Sequence, residues 1–180
     1  MTDFMDILRG RRSIRKYKPE PVPENALAAV LEAVRWSQSW ANTQCWELIV
    51  ITDKAVRAQL QEAVPKGNPS FKAIVEAPVL LALCAELKRA GFYKGNAASK
   101  FGDWFMFDLG VVTQNIALTA HAHGLGTVVA GLINHDACKE ALGVPEGYEL
   151  VSLMPLGYPD EHPPAPPRRE ITAFTHYDKF

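Results

Sequence analysis

Apolar positions recur along the chain at helical and strand spacings, and the order of the two sets out the elements. Phe4, Ile7 and Leu8 share one helix face, with Asp3 placed to cap it. Leu27, Val30, Leu31 and Val34 form an i, i+3, i+4, i+7 stripe that predicts a helix over 25–37. Residues 48–52 are a short β-branched apolar run, hence a buried strand, followed by a helix over 54–64 and a strand over 79–84 after Pro78. The longest helix is predicted over about 103–123. Leu109, Val112, Ile116 and Ala120 share one face, but Trp104, Phe105, Phe107, Val111, Ala117 and Leu118 cover much of the rest. A helix apolar nearly all round is buried on several sides, which in a chain of 180 residues suggests a subunit interface as much as a core. Gly124 and Gly126 end it before a strand over 127–130. Asn134 caps a short helix stopped by Gly143, and 148–156 is the last clear strand, closed by Gly157 and Pro159.

Between these elements the punctuation is strong. Pro19, Pro21 and Pro23 force an extended connection, and three glycines in 91–102 predict a mobile loop. Beyond residue 159, Pro163, Pro164, Pro166 and Pro167 make an extended arm carrying Arg168 and Arg169, and 171–180 pack on something else. Helices mixed with short strands, without regular βαβ alternation, predict an α+β fold in a single domain spanning 1–180.

Composition narrows the function classes. With 48% hydrophobic and 22% charged residues, the chain has an ordinary globular balance that supports a substantial core. The formal net charge of −1 offers no field for nucleic acid or an anionic membrane, although basic residues crowd into 9–18. Asp3 and Asp6 precede the arginines, with no apolar run of signal length, and no segment approaches the roughly 20 apolar residues a bilayer requires. Cys45, Cys84 and Cys138 are odd in number and widely spaced with no CxxC pair, which supports neither a disulfide framework nor a zinc site and fits a reducing cytoplasm.

Four groups of residues carry candidate chemistry. Arg11-Arg12-Ser13-Ile14-Arg15 suits an oxyanion, because planar guanidinium forks grip phosphate oxygens bidentately and the serine adds a donor; a solvated basic turn is the alternative. The segment Ser37-Gln38-Ser39-Trp40-Ala41-Asn42-Thr43-Gln44-Cys45-Trp46 interleaves amides and hydroxyls with indoles, able to bond the edge of a planar heterocycle and cover its face, or else is an ordinary loop. The run Gly124-Leu125-Gly126-Thr127-Val128-Val129-Ala130-Gly131 is no dinucleotide fingerprint, since it precedes a strand; Gly131 suits a close backbone approach. The fourth group is the arm with Arg168 and Arg169. Metal and nucleophile chemistry find little support. His121 and His123 point about 200° apart on a helix, and no GxSxG, HExxH or Walker loop occurs. Cys45 reads as a small buried thiol.

In this order the groups resemble the FMN-dependent nitroreductase family: R-R-S-I-R, S-x-x-N-T-Q-x-W, D-L-G-V-V-T-Q-N-I-A-L, H-G-L-G-T, L-G-Y-P and the late arginines. The resemblance implies a three-layer α/β/α sandwich around a mixed, mostly antiparallel sheet, in a homodimer with FMN at the subunit interface. It implies that Arg11, Arg12 and Ser13 hold the phosphate and ribityl end, that Arg15 lies towards N1 and O2 of the ring, and that Arg168 and Arg169 complete the phosphate site. Ser39 and Asn42, with Gln38 and Trp40 nearby, would reach the flavin from the other subunit, and Ala130 and Gly131 would offer backbone N–H to N5. Two positions depart from the family's usual pattern: Cys45 stands where proline is common, and Ala130 where an acidic residue or glycine is common. Phe92, Tyr93 and Lys94 are the candidate substrate lid.

The implied activity is ping-pong hydride transfer from NADH or NADPH through flavin N5 to a nitroaromatic, quinone or similar small-molecule acceptor. The cofactor performs the bond changes, so no catalytic side chain and no metal are expected. The same fold also admits a specialised reductase (dehalogenation or flavin breakdown) or a non-catalytic flavin-binding dimer.

Overall fold

The computed structural model describes residues 3–180. Its elements follow the predicted order: α1 (Phe4–Gly10), α2 (Glu24–Arg35), β1 (Trp46–Ile51), α3 (Lys54–Glu62), α4 (Ala73–Glu76), β2 (Val79–Glu86), β3 (Phe92–Tyr93), β4 (Asn96–Ala97), α5 (Phe105–Ala122), β5 (Gly126–Thr127), α6 (His135–Leu142) and β6 (Tyr148–Gly157). The helix starts obey local chemistry. Asp3, Asp53 and Asn134 accept from the first-turn N–H groups of α1, α3 and α6, and Gly143 closes α6 in the left-handed conformation at φ 64°.

Four strands pair in the order β1-β2-β6-β5, each neighbour antiparallel. The parallel component is a single bridge, Ser13 to Thr127, which adds the arginine segment to the β5 edge. The pleat of the central strand β2 divides the core in two. Val79, Leu81, Leu83 and Ala85 pack with α2 and α5, whereas Leu80, Ala82 and Cys84 pack with α3, α4 and α6. The result is the three-layer α/β/α sandwich. α5 is buried through Leu109, Val112, Ile116 and Ala120 but leaves Met106 and Phe107 exposed, at 58% and 59%. No helix among the described residues is long and apolar enough to cross a membrane.

Two predicted elements differ. The strand expected over 127–130 is regular only at Gly126–Thr127, and Ala130 rejoins the sheet by one bridge to Leu153. The register would set Val128 opposite Pro155, which has no N–H to donate, so the ladder breaks there. The loop expected over 91–102 contains a small hairpin, β3 with β4.

Gly126 lies where an added Cβ would stand 2.5 Å from Ile14 Cγ1, and Gly157 where it would stand 2.6 Å from Pro78 Cδ. These two glycines let the N-terminal segment and the end of β6 approach closely. Gly131, by contrast, faces open space. Gly126→Ala is therefore expected to push Ile14 and lower stability by about 1–3 kcal/mol, read as a lower urea midpoint with an unchanged slope.

Candidate functional site

The arginine segment is held at a sheet edge by backbone bonds on both of its sides. Ile14 N–H donates to Thr127 O at 3.0 Å, and the Ile14 side chain is buried with Tyr17 and Val128. That inward turn leaves its neighbours Ser13 and Arg15 only half-buried. On the other side the segment is zipped to the exit of β6. Lys18 N–H donates to Tyr158 O at 3.0 Å, Asp160 N–H to Lys16 O at 2.9 Å, and Arg15 N–H to Glu161 Oε1 at 2.6 Å. Tyr17 hydroxyl, donating to Ile14 O at 2.6 Å, closes the join; burial, reinforced by the Glu161 charge, raises its pKa well above the ordinary phenol value.

This zipper delivers the C-terminal arm to the arginines. Arg11, Arg12, Ser13, Arg15 and Arg168 line one cavity of about 270 Å³, walled by prolines of the arm. Burial, and then the charges of Arg12 and Arg168, lower the pKa of Arg11. None of these four arginines forms an ion pair among the described residues. Arg12 donates to the carbonyls of Arg9 and Arg11, and Arg15 makes only a long 3.4 Å contact to Ser13 O while its buried Nε has no partner. Mutually repelling guanidiniums with unused donors are complementary to a multiply charged anion. Arg169 is not brought into this cavity: it donates to Ala173 O and lies 5.8 Å from the centre of the Phe174 ring.

The Ser37–Cys45 loop is shaped by a residue that sequence reasoning did not single out. Asp108, fully buried in the first turn of α5, accepts from Trp40 N–H at 3.0 and 3.2 Å and from the Cys45 thiol at 3.5 Å. The loop it clamps puts Ala41, Asn42 and Gln44 at φ 45°, 56° and 49°, a left-handed region costly for side-chain-bearing residues. Ser39 Oγ accepts from Gln44 N–H at 2.9 Å and Asn42 Oδ1 from Gln44 Nε2 at 3.1 Å, while Gln38 is exposed. The signal available in the sequence was the one carboxylate in α5. Burial, then the Asp108 charge, pushes the Cys45 thiol up to about 12, so it is a packed thiol and not a nucleophile.

The remaining candidates fall elsewhere. Ala130 spends its N–H on Leu153 O at 2.9 Å, so of the pair only Gly131 keeps a free N–H among the described residues. Gly131 lines an apolar cleft of about 740 Å³ with Phe105, Met106 and Val129. Phe92 and Tyr93 form one strand of the hairpin, and Lys94 Nζ sits 5.3 Å from the centre of the Tyr93 ring. Neither the Asn42 cavity nor the Gly131 cleft shares a lining residue with the arginine cavity.

Residues 8–158 match the nitroreductase family. The chain belongs to that family. Among relatives, an NADH dehydrogenase of Thermus thermophilus is 30% identical over 178 residues, covering 84% of each chain. An FMN reductase [NAD(P)H] of Bacillus subtilis is 28% identical over 195 residues, covering all of this chain and 75% of the relative. An FMN-dependent nitroreductase from Clostridium difficile superposes with a TM-score of 0.81 at 26% identity, covering 98% of this chain and 99% of that one. Arg168 and Arg169 lie beyond the matched family residues, so Arg168's place at the site rests on the zipper alone.

The clamp is testable by stability. Asp108→Ala leaves Trp40 N–H buried without an acceptor and is expected to cost about 1–3 kcal/mol in urea unfolding. Asp108→Asn, which keeps an acceptor oxygen, is expected to recover most of that loss.

Proposed function

We propose that this nitroreductase-family chain is an FMN-dependent NAD(P)H oxidoreductase that works as a homodimer. The convergence of Arg11, Arg12, Arg15 and Arg168 with no ion pair among the described residues carries the reading. A phosphate monoester holds nearly two negative charges at neutral pH and takes several charge-assisted donors, which this cavity offers. FMN fits these residues, and the names of the Bacillus and Clostridium relatives support the same cofactor. When bound, FMN supplies hydride chemistry at N5, taking from NADH or NADPH and giving to a nitroaromatic, quinone or similar acceptor.

The chain's own residues bind and orient. Arg11, Arg12, Ser13 and Arg168 would hold the phosphate end, and Arg15, with its unused Nε, would face the N1 and O2 side of the ring. Arg169, which donates to Ala173 O, is not among the residues lining this cavity. Gly131, not Ala130, would offer the N–H to N5. A fixed cation near the ring favours the negative charge that reduction places there, by on the order of a few kcal/mol at an effective dielectric of about 20.

Two observations support a dimer. Ser39 and Asn42, with Gln38 and Trp40, lie on a loop outside the lining of the arginine cavity, and a second copy would bring them to the same flavin. Met106, Phe107, Val129 and Leu132 are large apolar side chains left 49–69% exposed on the surface a second copy would cover. Phe92, Tyr93 and Lys94 would then border the acceptor's entry as a hairpin lid. The small-molecule acceptor sets no requirement for nucleic acid or membrane.

Titration with FMN is expected to give a yellow, dimeric complex whose colour NADH or NADPH bleaches; protein that stays colourless and monomeric refutes the assignment. Arg11→Ala is expected to weaken FMN affinity by roughly one to two decades, because a charge-assisted phosphate contact contributes about 1.5–3 kcal/mol. Equal affinities of parent and variant would remove Arg11 from the phosphate site.

A further inference from the structure

Glu161 is the one carboxylate among the residues lining the two cavities that Arg11 and Arg12 share, the 270 Å³ cavity with Arg168 and a neighbouring one of about 330 Å³. It is half-buried, and its Oε1 accepts from Arg15 N–H at 2.6 Å across 146 residues of sequence. Yet it forms no ion pair with any guanidinium among the described residues. Its bond goes to the backbone of Arg15, which leaves the side chain of Arg15 uncommitted and its buried Nε without a partner. A glutamine oxygen could accept the same N–H, so the hydrogen bond alone does not account for an acid at this position. What the acid adds is a negative charge at the foot of the arginine that would face the flavin ring, in a half-buried position.

We propose that Glu161 is a positioning residue of the flavin site with a second, electrostatic role. It fixes the backbone of Arg15, and its charge offsets part of the guanidinium field at the ring, so that bound FMN is a stronger reductant than the arginines alone would make it. The inference rests on the FMN assignment made above. Charge near the ring acts unequally on the two redox states, because reduction adds negative charge there; a carboxylate disfavours reduced FMN more than oxidised FMN.

The test is the two-electron midpoint potential of FMN bound to the full-length protein, with Glu161→Gln as the variant. Glutamine keeps the acceptor for Arg15 N–H and removes the charge. Reduced FMN is expected to gain about threefold to tenfold in affinity relative to oxidised FMN, a rise of roughly 15–30 mV for a two-electron couple. Asp160→Asn, an equal charge change one residue away on a side chain that makes no hydrogen bond among the described residues, is expected to leave the potential in place. A purely structural pin would weaken both redox states equally and leave the potential unmoved. An unchanged or lowered potential in Glu161→Gln, or the same rise in Asp160→Asn, overturns the proposal while the FMN assignment stands. Parent protein that binds no FMN overturns both.

Discussion

The backbone pairing between residues 14–18 and 158–161 is the constraint on which the chemistry of this chain depends. Two backbone bonds, from Lys18 N–H to Tyr158 O and from Asp160 N–H to Lys16 O, and a third from Arg15 N–H to the Glu161 carboxylate join segments that are remote in sequence. The bridge of Ser13 to Thr127 anchors the same segment to the sheet from the other side. A backbone bond is worth only about 1 kcal/mol net and one to a carboxylate about 1.5–3 kcal/mol, but together they fix the two segments side by side at one edge. Close contacts at Gly126 and Gly157 permit that approach, since a methyl group at Gly126 would collide with Ile14 and one at Gly157 would crowd Tyr17.

Charge is handled in opposite ways at the two candidate regions. At the arginine cavity, four guanidiniums line one space with no ion pair among the described residues, and the charges of Arg12 and Arg168 bear on Arg11, a load an anion would relieve. At the Ser37–Cys45 loop, a single carboxylate is buried with no cation and is satisfied by Trp40 N–H and the Cys45 thiol. The first arrangement is built to bind; the second is built to hold a strained backbone in one shape. Asp108 also benefits from its place in the first turn of α5, where the helix dipole favours negative charge.

Much of this was legible from spacing. The stripe Leu27, Val30, Leu31, Val34 marked α2, the β-branched run marked β1, and the Asn134 and Gly143 pair marked both ends of α6. Partner-dependent features were not legible. The interruption of β5 depends on Pro155 standing opposite Val128, a matter of register between strands. The commitment of Ala130 N–H to Leu153, and of Arg169 to Ala173, likewise depends on what lies across from each.

By itself the sequence determined most of the elements, their order and the residue types suited to an anion and a planar ring, because helix and strand periods and side-chain chemistry are local properties. Only the tertiary structure decided that Arg168 and not Arg169 joins Arg11, Arg12 and Arg15, that Asp108 holds the loop of Ser39 and Asn42, and that Glu161 sits beneath Arg15. Those choices follow from strand register and from which carbonyl or carboxylate lies within hydrogen-bonding reach, and neither distance is written along a single chain segment.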